Sequence, residues 1–490
     1  MNLKEKKFIE KLISKYSKSD KQKYFLTPDS FSNEDIIAGA KTLLKKQITM
    51  SVLTKKFEKE FARYVGAKYA LMVNSGSSAN LLAFFALINP MKNKKLKFGD
   101  ECLIPSLCWS TSLWPIVQSG LKPKFIDIDK KTLNISIEQN KKQITKKTKA
   151  IMAVHVLGNS TNMDELKKIT KNRKIYLIED TCESLGSRYK KKYLGTFGDF
   201  GTYSFYYSHQ ITSGEGGMIV CNDKKNYEII HSLRAHGWDR GLKKNSNKKF
   251  NFINSGFNLR PSEISAAIGC SQLKRLNRFK KTRSINRMKI INKLKKSKKW
   301  SNQFTFIDSI KNLDPSWFGL PILINKPYLK KKKRFIKYLN DNFIETRPII
   351  SGNFLNQPSI KLYKLNRNKI IRKLKNSKKW ARQFTFIEAI KNLDPSWFGL
   401  PILINRPFLK KKEKFLKYLN DNFIETRPII SGNFLNQPSV KLYNLNGRKD
   451  KFPNSQEIED RGFFIGIHVN PISDETLNKL EKKLFKINEI

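Results

Sequence analysis

The chain has 490 residues, a length that accommodates two to four domains of ordinary size. Hydrophobic residues make up 39% and aromatic residues 11%, enough apolar material for a large core, which excludes wholesale disorder. The 96 Lys and Arg against 41 Asp and Glu leave a net charge of +55, but the basic residues are spread over the whole chain and gather in no tail or nucleic-acid motif.

We read that charge as lysine solvating the outer faces, a surface that favours an anionic small substrate. A basic nucleic-acid binder is the alternative. The N-terminus, MNLKEKKFIEKLISKYSK, spreads its charges and has no apolar core of the signal-peptide kind. Residues 1–34 read as an N-terminal helical segment. No apolar run reaches the eighteen residues of a membrane span, so no membrane partner is expected. The five cysteines are an odd number without a CxxC pair, which speaks against a disulfide framework or a zinc site and fits a reducing cytoplasm.

Residues 35–270 alternate strand-like apolar runs with helical patterns: YALMVN, ECLIP, KPKFIDI, KAIMAVHVL, KIYLIED, GTYSFYY and GGMIVCN. The alternation predicts an α/β domain with a mostly parallel sheet and helices on both faces. Ligands bind at the carboxyl ends of such strands.

Four strand ends carry chemistry. At Asn74–Asn80, Gly76, Ser77 and Ser78 form a small, hydroxyl-rich turn between a strand and a helix. That is either a phosphate cup or an ordinary Ser N-cap. Trp109, after ECLIP, is either a ring-stacking platform or a core residue. Asp180 and Glu183 end the strand KIYLIED. Asp180 there can hold a protonated ring nitrogen, as pyridoxal phosphate requires, or the acids can belong to a metal site. Ser204 and His209 precede the turn Gly214–Gly217. His209 is either a satisfied structural histidine or a catalyst beside a hydroxyl-rich loop.

The C-terminal part contains a tandem repeat. Lys289–Tyr363 matches Lys369–Tyr443 at an offset of 80, with 12 differences in 75 residues. Each copy reads as a small α/β module. In the first, helices are expected around Ile290–Trp300 and Leu329–Asn340, and strands at Trp317–Ile324 and Phe343–Ile349. We divide this part into 271–364, a connecting helix and first copy; 365–444, the second copy; and 445–490, a C-terminal strand and helix. Only one module fits against one large domain. Loop-closure entropy favours pairing the strand Phe463–Val469 with the second copy, which leaves the first as an inserted module. Of Arg347 and Arg427, the equivalent arginines of ETRPIISGNF, only the docked one could face a substrate.

NSGSSAN, IEDTCESLG, GTFGDFGTYSF, GEGG and GFNLRPSEISAAIGCSQLKRL, in this order and spacing, resemble the DegT–StrS type of sugar-nucleotide aminotransferase family. The resemblance runs from about Asp35 to the C-terminus, apart from the extra 80 residues. It implies the pyridoxal-phosphate transferase fold, a large sheet domain with a small α/β domain, and a homodimer with active sites at its interface. The family's aminotransferases hold their cofactor on a lysine. Here that position is His209, and no lysine lies between Lys192 and Lys224. A site without lysine cannot hold the cofactor covalently.

SFYYSHQITSGEGG, EDTCESLG and LCWST are similar to the family's 3-dehydratase branch, which removes the C3 hydroxyl of 4-keto-6-deoxy sugar nucleotides for 3,6-dideoxysugars of O-antigen or lipopolysaccharide. That resemblance implies pyridoxal 5'-phosphate, used as pyridoxamine phosphate during turnover, and glutamate as amine donor. It implies His209 as the acid–base residue. By motif position it implies Gly76, Ser77, Ser78 and Ser204 at the phosphate, Trp109 on the ring, Asp180 at the ring nitrogen and Glu183 at the ring's polar edge. Arg240 would reach the substrate, and Asn258 the phosphate of a neighbouring subunit's cofactor. One type of dehydratase uses an iron–sulfur cluster with a CDP-sugar and has several cysteines after its HGWDRG-like segment. Residues 233–257 have none, so no cluster is expected and the GDP-sugar type is preferred. A cofactor-binding pseudoenzyme or regulator stays open beside this reading.

Overall fold

The computed structural model describes residues 3–16, 30–242, 251–296, 303–342 and 344–350, and further on 384–386, 399–404, 410–421, 426–427 and 462–466. The chain divides into two units. The first is Met1–Trp238 with Asn254–Lys361, and the second is Asp239–Ile253 with Leu362–Ile490.

The first unit is built on a seven-stranded sheet. In chain order its strands are β1 (Tyr69–Val73), β2 (Glu101–Pro105), β3 (Lys122–Ile126), β4 (Thr148–Val154), β5 (Tyr176–Asp180), β6 (Phe200–Ser204) and β7 (Gly217–Cys221). They lie in the order β1-β7-β6-β5-β4-β2-β3. Only β7 runs against its neighbours, so the sheet is mostly parallel and the carboxyl ends of β1, β2, β4, β5 and β6 share one edge. The helices are α1 (Leu3–Tyr16), α2 (Asn33–Leu44), α3 (Val52–Val65), α4 (Gly76–Leu87), α5 (Ser110–Gln118), α6 (Ile137–Gln143), α7 (Met163–Arg173), α8 (Lys224–Arg234), α9 (Glu263–Leu273) and α10 (Leu276–Lys295).

Strand periodicity places the core. Leu71 and Val73 of β1 join one apolar cluster with α4 and α8, while Ala70 and Met72 join another with α3 and α9. In β4, Ala150, Met152 and Val154 face the first cluster and Ile151 and Ala153 a third, with α7. On α3, Phe57, Phe61 and Val65 recur every four residues on the buried face, and Gly66, at φ 73°, ends the helix. Among the described residues no helix is long and apolar enough to cross a membrane.

The first repeat copy belongs to the first unit. There β8 (Phe304–Phe306) pairs with β9 (Ile322–Ile324), and Leu313–Asp314 pairs with Arg188–Tyr189 of the large domain. Ser316 N–H donates to Ser187 Oγ at 2.8 Å, and Asn159 Nδ2 donates to the Asp308 carbonyl at 2.9 Å. Trp317 is 5% exposed under the Arg287 guanidinium, 4.0 Å from its ring. The first copy, expected as an inserted module, is thus seated on the large domain. Gly158 (φ +91°) permits the seat, since a Cβ there would lie 2.3 Å from the Ser316 carbonyl oxygen. The strand expected over Trp317–Ile324 is reduced to Ile322–Ile324, and residues 344–350 form no strand.

The second unit contains a four-stranded antiparallel sheet of β10 (Phe384–Phe386), β11 (Gly399–Ile404), β12 (Thr426–Arg427) and β13 (Gly462–Gly466), in the order β10-β11-β13-β12. The C-terminal strand β13 therefore pairs with strands of the second copy. A helix at Lys412–Asp421 buries Phe415 and Leu419. The expected C-terminal helix lies outside the described residues.

Candidate functional site

The carboxyl edge of the sheet in the first unit gathers the sequence-marked residues. After β1 the chain turns directly into α4. Ser75 is the N-cap and its hydroxyl accepts from Ser78 N–H at 3.1 Å. Ser78 is buried, and its hydroxyl bonds Asn74 Oδ1 at 2.6 Å. The exposed Ser77 donates to Thr111 Oγ1 at 2.9 Å. Ser204, at the end of β6, closes this cradle. A Cβ on Gly76 would lie 2.6 Å from Ser204 Cβ and 2.9 Å from Cys182 Sγ, so only glycine fits. The free N–H groups at the start of α4 and the positive end of its dipole make this turn an anion cradle.

Trp109 stands at the N-cap position of α5 and is 57% exposed, which overturns the core alternative. The same turn carries Ser112, whose hydroxyl donates to Asp180 Oδ2 at 2.7 Å. Asp180 is 5% exposed at the end of β5. Its Oδ2 also accepts from Asn80 Nδ2 at 2.9 Å, and its Oδ1 accepts from Cys182 N–H at 3.2 Å. The metal alternative finds no support: among the described residues no three His, Cys, Asp or Glu group into a possible metal site.

Beneath Asp180, Glu179 is fully buried. It takes hydrogen bonds from the N–H groups of Gly195, Phe197 and Gly198 at 2.7–2.8 Å and contacts His155 Nε2 at 3.1 Å. These contacts pin the turn that leads into β6. Glu183 Oε2 accepts from Leu157 N–H at 3.0 Å. Burial pushes its carboxyl up to about 7, helped by the charge of Asp180 and opposed by that N–H.

His209 lies after β6, its N–H donating to the Tyr206 carbonyl at 3.0 Å. Its ring meets Tyr206 and Phe318 edge-on, with centroids 5.9 and 5.3 Å away. Phe318 comes from the first repeat copy, and its N–H donates to the Leu157 carbonyl at 3.2 Å. Burial lowers the His209 pKa to about 4; Asp180 opposes this and the Arg283 cation adds to it. The imidazole is therefore neutral near pH 7. Its Nδ1 is buried without a hydrogen-bond partner among the described residues.

The first unit thus brings together Gly76, Ser77, Ser78, Trp109, Asp180, Glu183, Ser204 and His209. Asn258 is exposed and its Oδ1 accepts from Arg260 Nε at 3.0 Å, while the carbonyl of the next residue, Leu259, accepts from Asn74 N–H at 3.0 Å. Arg347 is exposed, 3.9 Å from Glu345. Arg240 and Arg427 belong to the second unit. Sequence reasoning missed Asn80, Ser112, Thr202, Arg283 and Phe318. Asn80 carried a signal, being a carboxamide inside the apolar helix of NSGSSANLLAFFAL. Phe318 carried none, because contact between residues 318 and 209 is set by the fold.

The residues fit a phosphorylated pyridine cofactor. The Gly76 cradle excludes any side chain, a carboxylate and an exposed indole flank it, and no lysine lies on the segment 193–223 that would tether the cofactor.

The model of the DegT/DnrJ/EryC1/StrS aminotransferase family matches residues 30–396. GDP-4-keto-6-deoxy-D-mannose 3-dehydratase of Escherichia coli O55:H7 is 41% identical over 352 residues, covering 69% of this chain and 89% of that protein. The structure of an E. coli GDP-4-keto-6-deoxy-D-mannose-3-dehydratase with bound hydrated PLP is similar with a TM-score of 0.57 and 32% identity, covering 94% of this chain and 99% of that one. A structure of GDP-4-keto-6-deoxymannose-3-dehydratase with a trapped PLP-glutamate geminal diamine is similar with a TM-score of 0.50 and 32% identity, covering 94% and 100%.

Proposed function

The chain belongs to the DegT/DnrJ/EryC1/StrS aminotransferase family, and from that membership we propose that it is a pyridoxal-phosphate-dependent 3-dehydratase of a 4-keto-6-deoxy sugar nucleotide. The observation that carries this reading is His209. A neutral, half-buried imidazole stands where the family's aminotransferases have lysine, on the same edge as the anion cradle and Asp180. The names of the similar proteins support a GDP-sugar and glutamate as substrates, and a further relative, the lipopolysaccharide biosynthesis protein RfbH of Salmonella typhimurium, 34% identical over 350 residues, supports deoxysugar supply for lipopolysaccharide as the purpose. The reading includes a cytoplasmic homodimer, with Asn258 serving the site of a second copy and Arg240 with one of Arg347 and Arg427 serving the substrate.

Gly76, Ser77, Ser78 and Ser204 would hold the cofactor's phosphate, Trp109 its ring face, Asp180 its ring nitrogen and Glu183 its polar edge. When bound, the cofactor would supply an electron-accepting ring and, in its pyridoxamine phosphate form with nitrogen taken from glutamate, an amino group for the substrate's C4 ketone. His209 does the proton work: it accepts a proton at its unprotonated ring nitrogen and returns one toward the departing C3 hydroxyl. Phe318 and Tyr206 hold the imidazole edge-on and exclude water from one side. A lysine would compete for the carbon that histidine leaves to the substrate, and so favour amine transfer over loss of water.

The deciding experiment is incubation with pyridoxal phosphate, glutamate and a panel of 4-keto-6-deoxy sugar nucleotides, with products read by mass. Loss of the C3 oxygen is expected. An amino sugar would mark a transaminase, and unchanged sugars a cofactor-binding protein without turnover.

Two further outcomes are expected. Asp180→Asn lowers kcat by about 10²–10³-fold, as loss of one preorganised charge does, with the melting temperature shifted by only about 1–3 °C. A large loss of melting temperature with normal activity per folded molecule would make Asp180 structural. The pH profile of kcat/KM in the free enzyme should rise through about pH 4, where His209 loses its proton, and not near 6.5. Below that limb the imidazole is protonated and cannot accept, so the rate falls with acid.

A further inference from the structure

Catalysis as described leaves one buried amide without a task. Asn80 lies on α4, 1% exposed, one turn beyond the anion cradle and just before the apolar run Leu81–Leu87. A carboxamide there costs free energy unless its bonds are made. Asn80 makes three. Its Nδ2 donates to Asp180 Oδ2 at 2.9 Å and to the Thr111 carbonyl at 3.2 Å, and its Oδ1 accepts from the Thr202 hydroxyl at 2.6 Å. The Thr111 carbonyl can only accept, so the nitrogen must face it, and the second N–H then points at Asp180.

Ser112 Oγ donates to the same Oδ2 at 2.7 Å, while among the described backbone groups Oδ1 takes the Cys182 N–H at 3.2 Å, and the Cys182 thiol also bonds this carboxylate. The two carboxylate oxygens are therefore unequal. A proton on Oδ2 would face two donors and no acceptor. Oδ1 is the oxygen with lone-pair capacity to spare.

We propose that Asn80 is a positioning residue, held by Thr202, which together with Ser112 saturates Asp180 Oδ2 and reserves Oδ1 for a protonated ring nitrogen. The inference rests on the cofactor reading above. Its consequence is that a proton shared between carboxylate and ring stays on the ring nitrogen, the form in which the ring accepts electrons. Asn80 touches neither cofactor nor substrate; it acts through Asp180.

The test is binding of two ligands to the full chain, read by protein fluorescence. One is pyridoxamine phosphate; the other is its deaza analogue, with C–H in place of the ring nitrogen. Asn80→Leu, which keeps the branched four-atom side chain without its polar groups, should weaken pyridoxamine phosphate by about tenfold or more, the scale of one hydrogen bond to a charged group. The deaza analogue should change by less than about twofold, since it makes no use of Asp180. Ser112→Ala should act in the same direction. Equal losses for both ligands, or no loss for either, overturn the proposal, because Asn80 would then support only the cradle or the fold. If melting of the cofactor-free protein shows Asn80→Leu unfolded, Thr202→Val gives the same discrimination, removing only the group that holds the amide. A wild-type protein that binds neither ligand, or both equally, instead removes the cofactor reading itself.

Discussion

His209→Asn is expected to lower turnover by about 10²–10⁴-fold, the range that one positioned acid–base group contributes, while cofactor affinity changes little. Asparagine keeps a polar group between Tyr206 and Phe318 but cannot take up a proton. His209→Lys should go further and change the chemistry. The burial that lowers the imidazole pKa to about 4 also disfavours an ammonium, and a neutral amine is the nucleophilic form. Borohydride reduction and peptide mapping should then find a pyridoxyl group on position 209 in this variant and none in the wild type. A wild-type rate in His209→Asn would mean that another residue is the base. A pyridoxyl-lysine in the wild type would sink the histidine mechanism outright.

Trp317→Ala is expected to destabilise the first unit by about 3–5 kcal/mol, the usual cost of removing a buried large aromatic side chain, and to lower turnover as well. Trp317 is 5% exposed and sits between Ser316, bonded to Ser187, and Phe318, packed on His209. The chemistry and the seat of the first copy are thus fastened at the same place. Denaturant unfolding and activity assays on one preparation separate the two effects. An unchanged midpoint would mean that the first copy does not hold to the large domain in solution.

Deleting residues 285–364 should nevertheless yield a folded, active protein of 490 − 80 = 410 residues. The splice puts LNRNKIIRKLK of the second copy where α10 has INRMKIINKLK, and brings Trp397 and Phe398 to the places of Trp317 and Phe318. One module can then both seat on the large domain and pair with β13. Aggregation of the deletion protein, beside a soluble and active full chain, would make the second module part of the architecture.

The seven sheet strands, the cradle after β1, the acids after β5 and the position of His209 were legible in the sequence, because each is a local pattern. A run of alternating apolar residues, a small-residue turn before a helix or a histidine in a motif is readable over five to ten neighbours. The fold class followed from their alternation. The partners of these residues were not legible. Asn80 and Ser112 meet Asp180 from two other segments, Thr202 holds Asn80 from a further one, and Phe318 reaches His209 across more than a hundred residues.

The repeat separates the two kinds of information most cleanly. GLPILIN occurs identically at 319–325 and 399–405, yet the strand is Ile322–Ile324 in the first copy and Gly399–Ile404 in the second. Thr-Arg at 426–427 is a strand, whereas at 346–347 the same residues are not, and Thr346 N–H instead donates to Asn340 Oδ1 at 3.1 Å. Local propensity is the same in both copies and set the common core of each hairpin, β8 with β9 and β10 with β11, in the same register. Whether the remaining residues became strand was decided by β13, which the chain has once. Extended backbone persists as a ladder where a neighbour takes its N–H and C=O groups, and that neighbour lies on the second copy.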